Sequence, residues 1–261
     1  MKAIVLAAGY ATRLYPLTEH KAKALLPVCG KPIINYIANQ IETIPDVNEI
    51  IVVSNHKFYD QFKKWAETYQ SMNRQISLTV IDDGTVSEDD RLGAIGDIQF
   101  CIEKCAIDED LVIIAGDNLF TYQLFDAWQS FRQAGADMIL GKKMPEADDL
   151  SRYAIAQLDD KGFIVDLEEK PDKPKSDIAV FATYFYLRST LPLIKDYLDA
   201  GLPPDSPGRF PAWLYRKKPI KLYLFDGICI DIGTPQSYED VRTTFPHVLE
   251  SRTKKVDKNL T

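Results

Sequence analysis

Short apolar runs alternate along the chain with stretches in which apolar residues recur every three or four positions. Residues 3–6, 50–53, 78–81, 111–115 and 138–141 are unbroken runs dominated by Val, Ile and Leu, the pattern of strands buried on both faces. Between them, residues 32–44, 58–69, 93–105 and 122–134 carry helical spacing. Pro32 suits a helix start, and Ile33, Ile34, Ile37 and Ile41 would share one face of the helix it opens. This alternation over residues 1–140 predicts an α/β fold, a Rossmann-like three-layer sandwich with a mainly parallel central sheet. In such sheets ligands bind beyond the carboxyl ends of the strands.

The second half has a different rhythm. Residues 153–158 and 164–168 flank Asp159-Asp160-Lys161-Gly162 and read as a hairpin. A strand over 179–187, a helix over 190–200, a short helix over 210–215 and a strand over 220–225 follow, with a Pro-rich loop at 202–208. Thr234-Pro235 is placed to cap a last helix. No linker or repeat divides the chain, so the expectation is one domain over 1–250, made of halves 1–140 and 141–250 that wall a cleft. A polar tail over 251–261 is expected to fray.

The richest chemistry lies where the first strand ends. Leu6-Ala7-Ala8-Gly9-Tyr10-Ala11-Thr12-Arg13-Leu14-Tyr15-Pro16-Leu17-Thr18 leads into Lys21-Ala22-Lys23-Ala24-Leu25-Leu26-Pro27-Val28-Cys29-Gly30-Lys31-Pro32. Backbone N–H groups in a small-residue turn can form an anion-binding nest, and Ala8-Gly9 admits close approach of a phosphate. Arg13 and Lys23 can neutralise charge that shifts between phosphate oxygens. Formal net charge is −7 over 261 residues, which argues against general affinity for nucleic acid or anionic membrane. Anionic ligands must then be met by local cations. No apolar run approaches the roughly 20 residues of a membrane helix, and no secretory leader is visible, so a cytoplasmic location is expected. Cys101 and Cys105 are one helical turn apart and read as small apolar residues, since no histidine motif joins them as metal ligands.

The segment from Leu6 to Pro32 resembles the signature of the sugar-1-phosphate nucleotidylyltransferases, G-x-G-T-R-L-x-P-x-T followed by K-x-L-x-P-V-x-G-K-P. Ala11 departs from it, standing where a second glycine is usual. The resemblance extends to Gly116-Asp117 after the apolar run 111–115, to Glu169-Lys170-Pro171, and to Asp231 in Asp231-Ile232-Gly233-Thr234-Pro235. It implies joining of an NTP to a sugar 1-phosphate with release of pyrophosphate. It also implies a nucleotide-binding first half and a sugar-phosphate-binding second half, and it leaves room for a homo-oligomer. Leu6, Ala7, Ala8, Gly9 and Thr12 would contact the nucleotide, and Arg13 and Lys23 would brace the triphosphate catalytically. Glu169, Lys170 and Thr183 would hold the sugar phosphate, and Asp117 and Asp231 would bind Mg²⁺, a hard cation suited to carboxylate oxygens.

Relatives that use dTTP or UTP commonly carry a glutamine before a G-x-A-x-A helix start. Here residues 81–96 hold no glutamine but a longer acidic loop that includes Asp82, Asp83 and Gly84. Asp83 and Gly84 are the expected base contacts. A carboxylate only accepts hydrogen bonds, which leans toward the amine or N–H of cytosine or guanine. A plain turn, with the base read by backbone groups, is the competing account. Three other functions stay open: a cytidylyltransferase acting on a phosphocholine-like phosphate, a catalytically silent regulatory relative, and a dinucleotide-dependent oxidoreductase. The last is disfavoured by the absence of G-x-G-x-x-G.

Overall fold

Strand β1 (Lys2–Leu6) takes the middle of a nine-stranded sheet because both its faces are apolar, with Ala3, Ile4 and Val5 fully buried. In this computed structural model residues 1–72, 74–145 and 149–258 are described, with side chains described as far as 246. After β1 come the short antiparallel pair β2 (Pro27–Val28) and β3 (Lys31–Pro32), then helix α1 (Ile33–Ile41). Next are β4 (Glu49–Ser54), α2 (Tyr59–Gln70), β5 (Ser77–Asp82), α3 (Gly93–Lys104) and β6 (Leu111–Ala115). β7 (Asn118–Phe120), α4 (Leu124–Ala134) and β8 (Asp137–Lys143) complete the first half and cross into the second.

The second half adds the antiparallel hairpin β9 (Ala154–Leu158) and β10 (Ile164–Glu169), then the long β11 (Ile178–Tyr186). Helices α5 (Leu191–Asp199) and α6 (Arg209–Leu214) precede β12 (Ile220–Leu224), β13 (Cys229–Asp231) and α7 (Pro235–Lys258). Strands β6, β1, β4 and β5 are parallel neighbours, as the Val- and Ile-rich runs predict. Beyond β6 the sheet turns antiparallel at β11, and β8 with β12 is parallel again. β11 is bonded on both edges: Thr183–Tyr186 pair with β6 and Ala179–Val180 with β9, while β8 runs along the other side.

Alternate residues of β1 enter two cores. Ala3 and Val5 pack with α1, α2 and α4, whereas Ile4 packs with α3, α5 and α6. Helices therefore cover both faces, and the fold is a three-layer sandwich. The last helix begins as its sequence predicts. Ser237 donates its backbone N–H to Thr234 Oγ1 at 3.1 Å, and Thr234 donates its own to Ser237 Oγ at 3.0 Å, a reciprocal cap followed by Pro at the first helical position. Its backbone runs on as helix to Lys258, past Ser251, where fraying is expected; the end of that tail, 259–261, lies outside the described residues.

Candidate active site

The carboxyl end of β1 opens into a cavity of about 320 Å³ lined by Leu6, Ala7, Ala8, Gly9, Thr12 and Arg13 among others. The ladder outlasts the strand by one step on each side. Ala7 donates its N–H to Val53 O at 3.0 Å, and Gly116 donates its own to Leu6 O at 2.8 Å. A Cβ on Gly116 would lie 2.8 Å from that same oxygen, so only glycine permits the approach that delivers Asp117 to the cavity. The fully buried Asn55, just past β4, donates from Nδ2 to Ala8 O at 2.8 Å and fixes the turn from behind. Ala11 adopts a left-handed backbone, φ 50°. That conformation costs an L-residue roughly 1–2 kcal/mol, and it is why glycine is usual in the resembling signature. Thr18 Oγ1 donates to Ala11 O at 2.7 Å and holds the turn in place.

Lys23 sits between the two aspartates read as metal ligands. Its Nζ donates to Asp117 Oδ2 at 2.7 Å and to Asp231 Oδ1 at 3.2 Å. Burial works against the ammonium charge, but Asp117 and Asp231 outweigh it and hold the lysine above its ordinary value. Asp231 reaches the site because β13 pairs antiparallel with β7, which sets Asp231 opposite Asn118, next to Asp117. Both carboxylates thus converge on one cationic atom, and their oxygens are of the hard kind that Mg²⁺ prefers. Among the described residues no cluster of three or more His, Cys, Asp or Glu is placed to bind a metal, so further ligands would come from phosphate and water.

A second cavity, about 240 Å³, shares Ala115, Asp117 and Pro207 with the first and also reaches Asp231. Glu169 and Lys170 line it. Glu169 Oε1 accepts a 2.6 Å hydrogen bond from Ser206 Oγ. A Cβ on Gly208 would meet the Glu169 carboxylate where it now stands, so the glycine lets that side chain keep this position. Lys170 is exposed and has φ 50°, a conformation in which its N–H donates to Tyr153 O at 3.1 Å. Arg152 adds a cation to this cavity that the sequence motifs do not signal.

Three expected contacts lie elsewhere. Thr183 is fully buried, its Oγ1 2.9 Å from the Tyr122 hydroxyl. The pairing of β11 with β8 shifts register between Phe181 and Tyr184, and it is Phe181, Ala182 and Tyr184 that line the cavity. Asp83 and Gly84 line neither cavity. Asp83 Oδ1 accepts from the N–H and the hydroxyl of Thr85, both at 2.8 Å, and Gly84 donates its N–H to Asp82 Oδ1. The acidic residues that line the first cavity from this side are Glu88, in the loop before α3, and Asp97, on α3, together with Tyr10, Gly93 and Ala94.

A family model described as nucleotidyl transferase matches residues 2–247. A UTP–glucose-1-phosphate uridylyltransferase of Haloferax volcanii is 30% identical over 192 residues, covering 71% of this chain and 72% of that protein. A protein named as a mannose-1-phosphate guanyltransferase of Sulfolobus acidocaldarius is 29% identical over 247 residues, 91% of this chain. The chain spans only 61% of that relative's length. Among solved structures, a protein of Bacillus anthracis named as a glucose-1-phosphate thymidylyltransferase superposes with a TM-score of 0.76 over 93% of this chain and 94% of that one. At 24% identity that likeness is one of fold.

Proposed function

Because the chain belongs to the nucleotidyl transferase family, we propose that it joins an NTP to a sugar 1-phosphate, giving an NDP-sugar and pyrophosphate. One observation carries this reading: two cavities, one floored by the small-residue turn after β1 and one lined by Glu169 and Lys170, meet at Asp117. Such a layout brings a nucleotide and a second phosphate to one point. A phosphate oxygen of the sugar substrate attacks the α-phosphorus in line, and the bond to the pyrophosphate leaving group breaks. The nucleophile is ionised at neutral pH, so no general base is needed, and positioning with charge neutralisation supplies the rate.

In this reading the backbone of residues 7–9 cradles the triphosphate and Arg13 neutralises the departing pyrophosphate. Lys23 keeps Asp117 and Asp231 together while it adds positive charge to the same region. Lys170, with Arg152, draws in the sugar phosphate, and Glu169, braced by Ser206, accepts from sugar hydroxyls. Asp117 and Asp231 are the residues that would hold Mg²⁺, which when bound supplies further charge neutralisation to the phosphates. Among the described residues no helix is long and apolar enough to cross a membrane, and we place the reaction in the cytoplasm, where NTPs are made.

Pyrophosphate release from a panel of NTPs and sugar 1-phosphates, with phosphocholine included as a competing acceptor, tests the reading. Asp117→Asn and Asp231→Asn are each expected to lower turnover ~10²-fold or more with the fold retained. Release with phosphocholine alone would replace the sugar reading, and near-wild-type rates in both variants would remove the metal assignment.

A further inference from the structure

Two buried carboxyls lie at the α3 end of the first cavity. Asp97, one turn into α3, is 6% exposed, and Asp83, just after β5, is 9% exposed. Asp97 Oδ1 and Asp83 Oδ2 are both buried with no hydrogen-bond partner, and Asp97 lies within reach of the charge of Asp83. A buried carboxylate oxygen without a donor is expensive, and two of them turned on one another more so. One proton between them removes both deficits. Asp83's remaining oxygen is already committed to Thr85, whose hydroxyl also accepts from Tyr10 OH at 3.3 Å. Asp83 is therefore the anchored acceptor and Asp97 the partner that lines the cavity.

The cavity is polarised. Arg13, Lys23 and the small-residue turn occupy its phosphate end, whereas Ala8, Tyr10, Gly93, Ala94 and Asp97 make an end whose cation, Arg91, is paired with Glu88. A base attached to a triphosphate held by the turn has this end to occupy. We propose that Asp83 and Asp97 share one proton and that Asp97 reads the nucleobase as a hydrogen-bond acceptor, selecting an amine-bearing base over uracil or thymine. This rests on the nucleotidyl-transfer reading of the same cavity and adds its specificity. With the proton committed to Asp83, the second oxygen of Asp97 has lone pairs to offer and no hydrogen to give. An exocyclic amine at the outer end of the base edge satisfies it. In uracil and thymine carbonyl oxygens flank the single N–H, and a facing acceptor leaves both groups unpaired.

The electrostatics agree with the geometry. Burial, and then the charge of Asp83, push the Asp97 carboxyl up to about 8, and burial also raises Asp83 against the hydrogen bonds from Thr85. The other ionisable neighbours are Tyr10 from the turn, Asp82 beside Asp83, Cys101 one turn along α3, and Glu88, Asp90 and Arg91 of the loop between β5 and α3. Arg91 is engaged by Glu88 at 2.5 Å and Asp90 by the N–H groups of Val86 and Ser87. Arg91, the cation of this end, is thus already paired.

Two measurements test this on the full chain. Nucleotide binding by calorimetry and kcat/KM should favour CTP, GTP or ATP over UTP and dTTP by roughly 10- to 100-fold, and Asp97→Ala should reduce that ratio to a few-fold. Loss of the shared proton leaves two adjacent carboxylates that repel each other and the nucleotide's phosphates, so binding of the favoured nucleotide should weaken as pH rises through about 8. Asp97→Asn should abolish that decline, because its amide N–H donates to Asp83 at every pH. A dTTP or UTP preference in the wild type, a preference that survives Asp97→Ala, or an alkaline decline that persists in Asp97→Asn would each overturn the proposal. Calorimetry separates the two readings: base-selective binding without pyrophosphate release under any acceptor ends the transfer reading and leaves this one standing.

Discussion

At the scale of single residues, Arg13 and Lys170 face different cavities and should fail in different ways. Arg13 is exposed and lines the first cavity. Arg13→Ala is expected to depress kcat and kcat/KM together by roughly 10²-fold or more, as removal of a donor to a leaving group does. Lys170→Ala should chiefly raise KM for the sugar phosphate. Steady-state kinetics with each substrate varied in turn decides the matter, and identical signatures would contradict the division of roles. The residues in contiguous motifs, from Leu6 to Lys23 and at Asp117, Lys170 and Asp231, were legible because each string holds its chemistry locally. Asn55, Asp97, Arg152 and Gly208 were not. Their roles arise only when distant segments meet, as when Gly208 makes space for Glu169. Ser54-Asn55-His56, polar residues closing an apolar strand, was the one available hint.

At the scale of elements, β8 is held at its start by a buried charge. Asp137 is fully buried; it accepts from Thr190 Oγ1 at 2.7 Å and from Leu187 N–H at 2.8 Å, and lies 3.0 Å from Lys218 Nζ. The lysine reaches it from the chain leading into β12, so one carboxylate gathers β8, α5 and β12. Lys218→Met leaves that charge unpaired and should cost about 3–5 kcal/mol in urea unfolding; a loss under ~1 kcal/mol would show that water takes the lysine's place. Strands and helices long enough to display a period lie within a few residues of where apolar spacing puts them, since burial of one face or both dictates that spacing. The two- and three-residue strands β2, β3, β7 and β13 have no period to read. Yet the β7–β13 ribbon is what carries Asp231 to Asp117. The antiparallel turn of the sheet beyond β6 was equally hidden, because strand direction depends on how the chain returns and not on composition.

At the scale of the whole molecule, the two halves are stitched at several levels. Gly93, φ +79°, lies against Pro204, where a Cβ would come within 2.7 Å of the Pro204 oxygen, and Ile95 donates its N–H to that same oxygen at 2.9 Å. The loop that contributes Pro207 to both cavities is thereby fastened to α3. Lys23 spans 208 positions to meet Asp231. Unfolding in denaturant, followed by tryptophan fluorescence and far-UV circular dichroism, should show one coincident transition; two separated transitions would mean that the halves fold independently. The dual pairing of β11 has a consequence for how such a protein can be recombined. A crossover with a relative near residue 140 cuts through β8 and asks one parent's β11 to fit the other parent's β6. A piece ending there would present β6 with a bare row of backbone donors and acceptors, an invitation to self-association. Viable chimaeras should keep β6, β8 and β11 from one parent, and exchange instead the outer β4–β5 edge or the α7 end.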